Sequence, residues 1–273
     1  MLAQSISSDI SNWLALVIGN SNLHWGLFKG EQLISAWDST YVSETVVEKL
    51  ARFRSPKNFP SEIHPEFESK LLPFITQTIP LLVASVVPEQ TKIWQTYSNV
   101  HIITLEHIPF NRLYPSLGTD RILALWGAGE NYGYPILVID AGTALTFTSA
   151  DNHYNLVGGA ILPGFGLQLE TLTRRTGMLP KVELPQQLPQ RYALDTPTAI
   201  QSGVIYTLLA GIEDFICDWL SLFNDGKIVI TGGDRNLLLK YLQSQKPEIA
   251  KLVKVEPHLI FWGVRCWKKE LCL

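Results

Sequence analysis

The sequence is short of cysteine, of methionine, of any surplus of charge and of long apolar runs, and each shortage excludes something. Its three cysteines, Cys217, Cys266 and Cys272, are odd in number and lack the spacing of metal ligands. Reduced thiols and a cytoplasmic location are therefore expected, rather than a disulfide framework. A formal net charge of −3 gives no electrostatic footprint for nucleic acid, and no nucleic-acid partner is expected. No apolar run approaches the ~20 residues that cross a bilayer, so no membrane partner is expected either. The opening stretch MLAQSISSDISNW has no basic segment followed by an apolar one and does not read as a secretory signal. No low-complexity linker interrupts the chain. What is present is core material: 273 residues, 46% of them hydrophobic, with eight tryptophans against two methionines. That is enough for one large or two medium domains with an aromatic-rich core or interface.

The chain is organised around Tyr134 to Ala150, YPILVIDAGTALTFTSA. Ile136 to Ile139 is a run of branched residues after Pro135 and reads as a buried strand. It stops at Asp140-Ala141-Gly142-Thr143-Ala144, and Leu145 to Phe147 then reads as the returning strand of a hairpin. Such a turn presents a carboxylate, a hydroxyl and backbone N–H groups at one point, which suits a phosphate and its cation. Many hairpins carry the same residues for turn chemistry alone. A second copy stands near the start, where Leu14-Ala15-Leu16 leads through Val17-Ile18 into Gly19-Asn20-Ser21 and then Leu23 to Phe28. Aligned on Gly19 and Gly142, Asn20 matches Thr143 and Val17 falls where Asp140 sits. Two strand–glycine–strand units half a chain apart suggest a duplicated α/β domain, with both turns facing one cleft.

Taken in order, residues 1–12 read as frayed, and Trp13 to Phe28 as the first hairpin. His24 on its return strand reads as a strand residue with a partner rather than a base, because no acid is patterned near it. A third strand is expected over Leu33 to Trp37 and a helix over Ser43 to Phe53. A proline-rich loop over 55–70 and a helix over Leu71 to Ile79 follow. Leu81 to Val87 reads as a buried strand, Gln90 to Ser98 as a helix and Val100 to Leu105 as a strand. Gly118-Thr119-Asp120-Arg121 opens a helix, with Gly118 or Thr119 as its cap. By themselves Asp120 and Arg121 would be an ordinary first-turn carboxylate and a surface residue. The glycines of Val157 to Gly166 permit close backbone approach, to a ligand or to a packed neighbour. An amphipathic helix from Leu167, a proline-rich loop over 179–197 and a long helix opened by Asp195-Thr196-Pro197 come next. The strand Lys227 to Ile230 runs into Thr231-Gly232-Gly233, and a helix over Leu237 to Gln243 follows it. The domain boundary is placed at 117/118, giving lobes of residues 1–117 and 118–273.

The ordered set Gly19-Asn20-Ser21, Gly118-Thr119-Asp120-Arg121, Asp140-Ala141-Gly142-Thr143-Ala144, Gly158-Gly159-Ala160-Ile161-Leu162-Pro163-Gly164, Asp195-Thr196 with Gln201-Ser202-Gly203, and Thr231-Gly232-Gly233 resembles the type III pantothenate kinases. These belong to the acetate and sugar kinase/Hsc70/actin superfamily, and the match covers Leu14 to about Val264. The resemblance implies two similar ribonuclease H-like α/β lobes with a cleft between them, the actin-like ATPase fold. It implies phosphorylation of pantothenate by ATP, the first step towards coenzyme A, with a divalent cation (Mg), an activating monovalent cation (K or NH4) and a homodimeric assembly. Carried over by motif, Asp120 is the general base, and Gly118, Thr119, Asp120, Arg121 and Thr196 line the pantothenate site. Asp140 binds the monovalent cation. The turn Val17, Ile18, Gly19, Asn20, Ser21, Asn22, Leu23 and His24, together with Thr143, holds the nucleotide. Thr231-Gly232-Gly233 lies towards its adenosine side.

Two departures stand out. The family's first turn reads Asp-x-Gly-Asn-Thr, and here the Asp is Val17. The family's substrate-contacting Tyr lies seven residues before the Gly of Gly-x-Asp-Arg; that position is Asn111 here, and Tyr114, four before, is the substitute. Val17 keeps a second reading open, a non-catalytic regulatory or binding protein that retains the kinase fold. Gly118-Thr119-Asp120-Arg121 with Asp195-Thr196 argues against a kinase or phosphatase acting on another substrate.

Overall fold

The computed structural model describes residues 12–51 and 79–272. The frayed start expected over 1–12, the loop over 55–70 and the helix over 71–79 lie outside these residues, apart from Asn12 and Ile79. The chain divides into two compact units. Among the described residues, one holds 12–51, 79–108, 114–123 and 260–272, and the other 109–113 and 124–259.

The first unit is built on a five-stranded sheet, ordered β3-β2-β1-β4-β5. Strands β1 (Asn12–Ile18), β2 (Leu23–Lys29) and β3 (Gln32–Ser39) form an antiparallel meander, while β4 (Leu81–Ser85) and β5 (Val100–Ile102) add in parallel. The run WLALVI is buried throughout because both faces of β1 are covered. Leu14, Leu16 and Ile18 point one way, with Leu23, Trp25 and Leu27 of β2. They pack on Val46, Val47 and Leu50 of α1 (Glu44–Ala51), on Trp94 of α2 (Pro88–Trp94) and on Tyr97. On the other face Trp13 stacks on Phe28 at 3.9 Å between ring centroids, and Phe28 meets Trp262 edge-on. The strand expected over Val100 to Leu105 ends at Ile102 and is followed by a single 3-10 turn, Leu105–His107.

Helix α3 (Thr119–Tyr132) leads into the second unit, whose sheet is ordered β10-β9-β6-β7-β8. The arrangement repeats the first. Strands β6 (Ile136–Ala141), β7 (Ala144–Ala150) and β8 (Leu156–Pro163) form the meander, and β9 (Lys227–Thr231) and β10 (Val253–Val255) add in parallel. The glycine-rich stretch after the central hairpin is thus a strand. Leu137, Ile139, Leu145 and Phe147 pack against α4 (Phe165–Arg175), α5 (Thr196–Leu222) and α6 (Arg235–Gln245). Helix α6 starts two residues before, and ends two residues after, the span expected for it. A short helix α7 (Pro247–Ala250) precedes β10, and α8 (Leu259–Glu270) closes the chain. Helix α5 is long and apolar enough to cross a membrane by length and composition, contrary to the reading of the apolar runs. Its buried residues Val204, Leu208, Ile212 and Ile216 face its own sheet, which accounts for the apolar character.

Candidate functional site

Each sheet ends its central strand in a short turn. In the first, Gly19 donates its N–H to the Asn22 carbonyl at 3.1 Å, and the Tyr41 hydroxyl donates to the Gly19 carbonyl at 2.6 Å. Asn20, Ser21 and Asn22 are exposed at the tip. Val17, Ile18 and Leu23 are buried in the strands and present only main-chain groups to a ligand. In the second, Gly142 donates to the Ala144 carbonyl at 3.2 Å, and Gly164 donates to Thr143 at 2.9 Å. A Cβ on Gly164 would sit 2.1 Å from the Gly142 carbonyl oxygen, so only glycine lets β8 lie against this turn.

Gly118, Thr119, Asp120, Arg121 and Tyr114 converge in the first unit. The Thr119 hydroxyl donates to the Ser85 carbonyl at 3.1 Å, which ties the start of α3 to the end of β4. Ser85 itself is braced by the Thr91 hydroxyl at 2.7 Å and by the Val87 N–H at 3.1 Å. Val86 donates to the Ile18 carbonyl at 3.2 Å, at the strand end from which the Gly19 turn springs. The Asp120 carboxylate is thereby anchored to the same pair of strand ends as the first turn. Burial pushes the Asp120 carboxyl above its ordinary range, against the Arg121 N–H that donates to Oδ1 at 2.8 Å and the Arg121 charge. A Cβ on Gly118 would lie 2.4 Å from that oxygen, so the glycine makes room for the carboxylate. Arg121 Nη1 donates to the Tyr114 hydroxyl at 3.2 Å. Asn111 is engaged elsewhere: its N–H donates to Tyr154 at 2.8 Å, and it bridges Asn155 in the second unit.

In the second unit Asp140 is the last residue but one of β6. Gly232, at φ +92°, approaches so closely that a Cβ there would fall 2.4 Å from both Asp140 Oδ1 and the Ala141 carbonyl oxygen. Asp234 donates its N–H to Ala141 at 2.8 Å, as Val86 does to Ile18 in the first unit. Burial raises the Asp234 carboxyl. Burial, with help from Asp234, pushes the Tyr241 hydroxyl up to about 12. Thr196 is the first residue of α5, beside an open depression of about 540 Å³ lined by Leu179, Ala193, Leu194, Asp195, Ala199 and Ile200. Asp195 caps the helix, accepting from the Thr198 N–H at 2.9 Å. The proline-rich segment before it is strapped down: Ser202 donates to Arg191, Tyr206 to Pro189, Gln201 to Glu183 and Tyr241 to Pro185.

One residue has no counterpart in the sequence reading. His24 has an acid after all, for Asp38 stands directly across from it on β3, with Nδ1 and Oδ1 2.7 Å apart. The third strand, expected to end at Trp37, runs on to Ser39 and carries Asp38 into register.

A family model described as type III pantothenate kinase matches residues 13–218. A type III pantothenate kinase from Nostoc sp. is 55% identical over 97% of this chain and 98% of its own length. One from Synechocystis sp. is 44% identical over 92% of this chain and 88% of its own. Among solved structures, a Baf family protein from Campylobacter jejuni aligns with TM-score 0.61 at 20% identity, covering 95% of this chain and 98% of that one. MreB 5 of Spiroplasma citri aligns with TM-score 0.51 at 12% identity, covering 96% and 97%. At these identities the two structures speak for the fold alone, which is the α/β actin-like ATPase fold.

Proposed function

Since the chain belongs to the type III pantothenate kinase family, we propose that it transfers the γ-phosphoryl group of ATP to the 4′-hydroxyl of pantothenate, the first step of coenzyme A biosynthesis. The observation that carries the reading is the placement of Asp120. It is a half-buried carboxylate of raised proton affinity, hung beside Arg121 and Tyr114 on the strand ends that bear the Gly19 turn. Arg121, steadied by Tyr114, offers a planar fork to the substrate carboxylate, and Thr119 and Thr196 complete its polar contacts. Asp120 accepts the hydroxyl proton as the oxygen attacks the γ-phosphorus. The new O–P bond forms as the bond to the β–γ bridging oxygen breaks, and ADP leaves. The N–H groups of residues 20–22 at the tip of the first turn take phosphate oxygens, and the Thr143 hydroxyl is the nucleotide contact of the second turn.

The first turn gives a divalent cation no carboxylate at Val17, and Asp38 is bonded to His24. Magnesium would therefore be held by the nucleotide phosphates and water, and would supply charge neutralisation there. Asp140, a carboxylate beside the Ala141 carbonyl, suits a monovalent cation such as potassium or ammonium. The protein is read as a cytoplasmic homodimer whose cysteines are not joined in disulfides. Pantothenate-dependent ADP release, measured in a coupled assay over a magnesium series, tests the activity. No release from well-folded protein at any magnesium level would overturn it in favour of the non-catalytic reading that Val17 suggests.

A further inference from the structure

In the first unit the turn Ser85-Val86-Val87 joins β4 to α2. The second unit makes the matching link, from β9 to α6, with Thr231-Gly232-Gly233-Asp234. In both, a main-chain N–H of the turn donates to the end of the central strand: Val86 to the Ile18 carbonyl at 3.2 Å, and Asp234 to the Ala141 carbonyl at 2.8 Å. The second turn takes its bend from Gly232 at φ +92°. The first has no glycine, and valine is a stiff residue with no turn chemistry of its own.

Hydroxyls fix the first turn instead. Ser85 Oγ accepts the Val87 N–H at 3.1 Å, a local bond of the kind serine makes in turns. Thr91 on α2 closes the arrangement. Its hydroxyl donates to Ser85 Oγ at 2.7 Å and lies 3.1 Å from the Val87 carbonyl oxygen, which the Ser85 hydroxyl also reaches at 3.2 Å. Two hydroxyl protons are thus shared among three oxygens. A bond to the carbonyl four residues back is ordinary for a helical threonine. The shorter bond to Ser85 is not part of that habit.

The start of α3 hangs on this turn. The Ser85 carbonyl accepts from the Thr119 hydroxyl, the residue before Asp120, at 3.1 Å. The point a Cβ on Gly118 would occupy is 2.4 Å from Asp120 Oδ1 and 3.7 Å from Val86 Cγ1, so the carboxylate and the Val86 side chain flank one spot. The turn therefore bears on Asp120 twice, through Thr119 and across Gly118.

We propose that Thr91 and Ser85 are positioning residues for Asp120, and that their paired hydroxyls hold the carboxylate on line with the substrate hydroxyl by fixing the turn that carries Thr119 and Val86. The proposal rests on the kinase reading and adds to it two residues that act only through their neighbours.

Steady-state kinetics and thermal melts of the full chain test it. Thr91→Val keeps the shape and removes the hydroxyl. It should lower kcat ~10–100-fold, the scale of a small misplacement of a reacting group, and leave the KM for ATP little changed. Thr91→Ser keeps the hydroxyl and should restore most of the rate. Ser85→Ala removes the other hydroxyl and should lose kcat as Thr91→Val does, so the test holds even where one variant fails to fold. Added to Asp120→Asn, Thr91→Val should cost no further rate, because the group it aims is already gone. A merely structural threonine would lower the melting temperature and leave kcat of the folded protein unchanged, or lower kcat equally in the wild-type and Asp120→Asn backgrounds. Either result overturns the proposal, as does Thr91→Ser no faster than Thr91→Val, or a raised KM for ATP with kcat intact. Wild type that turns over pantothenate while Thr91→Val and Ser85→Ala keep its kcat removes this inference alone. Wild type without turnover removes the kinase reading and this role with it.

Discussion

Burial holds the Asp120 carboxyl above 3.8, so the ionised form a base requires is the form this fold disfavours. The sign follows from linkage. A raised folded-state pKa contributes stability that is complete below the unfolded value and is lost as pH rises through the folded one. At neutral pH the charged carboxylate is a net burden on the fold. Asp120→Asn should therefore melt at or above wild type at pH 7, with the difference shrinking as pH falls towards 4, while kcat drops ~10²–10⁴-fold. Thermal melts across that range, with kcat for both proteins, check it; an Asn variant that turns over like wild type removes Asp120 from the mechanism. Val17 is the other residue with a sharp expectation. It is 4% exposed and sits opposite His24, so a carboxylate introduced there is buried but has a neighbour able to pair with it. Val17→Asp should lower the magnesium concentration for half-maximal rate, and an unchanged midpoint in a titration of both proteins counts against a cation at this turn. Asp120 and Arg121 were legible as a motif because their neighbours in sequence are their neighbours in space. Asp38 was not, because its closeness to His24 depends on the register of the β2–β3 hairpin, which shifts at Leu27/Phe28. Tyr114 was legible only by analogy, and what sets it beside Arg121 is a loop in which Asn111 turns away to pair with Asn155.

At the level of elements, the repeat could be read because each central strand is a run of branched residues stopped by glycine, a signal that local sequence carries in full. The strand β8 could not, since Gly158 and Gly159 mask its alternation and it forms by pairing with β7. The sheet on which an amphipathic helix packs is likewise absent from its own sequence, and α8, the last helix, packs on the first sheet through Trp262. The glycines that clamp the second turn give the element-scale test. Gly164 and Gly232 each lie where an added Cβ meets backbone oxygen, at 2.1 Å from Gly142 and 2.4 Å from Ala141. Backbone cannot swing aside as a side chain can, and overpacking of this kind costs about 1–3 kcal/mol. Gly164→Ala and Gly232→Ala should both lower the melting temperature, the second more, because its φ of +92° adds strain. Gly166, inside α4 with nothing within 4 Å of its Cβ position, is the control. Gly166→Ala should stabilise by about 0.5–1 kcal/mol through helix propensity. Chemical denaturation of the three variants decides, and equal effects at all three would refute the packing account.

For the whole molecule the open matter is assembly, and the segment before α5 carries the argument. Its backbone is fixed by four side-chain hydrogen bonds from α5 and α6, and Arg191 lies 4.1 Å over the Tyr206 ring. Yet Met178, Tyr192 and Leu194 on it are 95%, 84% and 97% exposed. A loose loop can show apolar side chains to water at little consequence. A loop tied down at this many points holds them out in a fixed array, and such arrays mark surfaces that another protein covers. Leu222, 62% exposed at the end of α5, extends the apolar exposure along the same unit. A second copy of the chain is the occupant that the family resemblance implies. Light scattering at micromolar protein should give about twice the 30.6 kDa of one chain. Placing a charge in the array by Leu194→Asp, with Tyr192→Ser, should shift the mass to that of one chain. Both side chains are almost fully exposed, so the isolated fold should lose little stability in the exchange. Leu194 is two residues from Thr196 and lines the same depression, so loss of the partner should also raise the KM for pantothenate more than it lowers kcat. A double variant that remains a dimer, or wild type that scatters as a monomer, would remove this surface from the assembly.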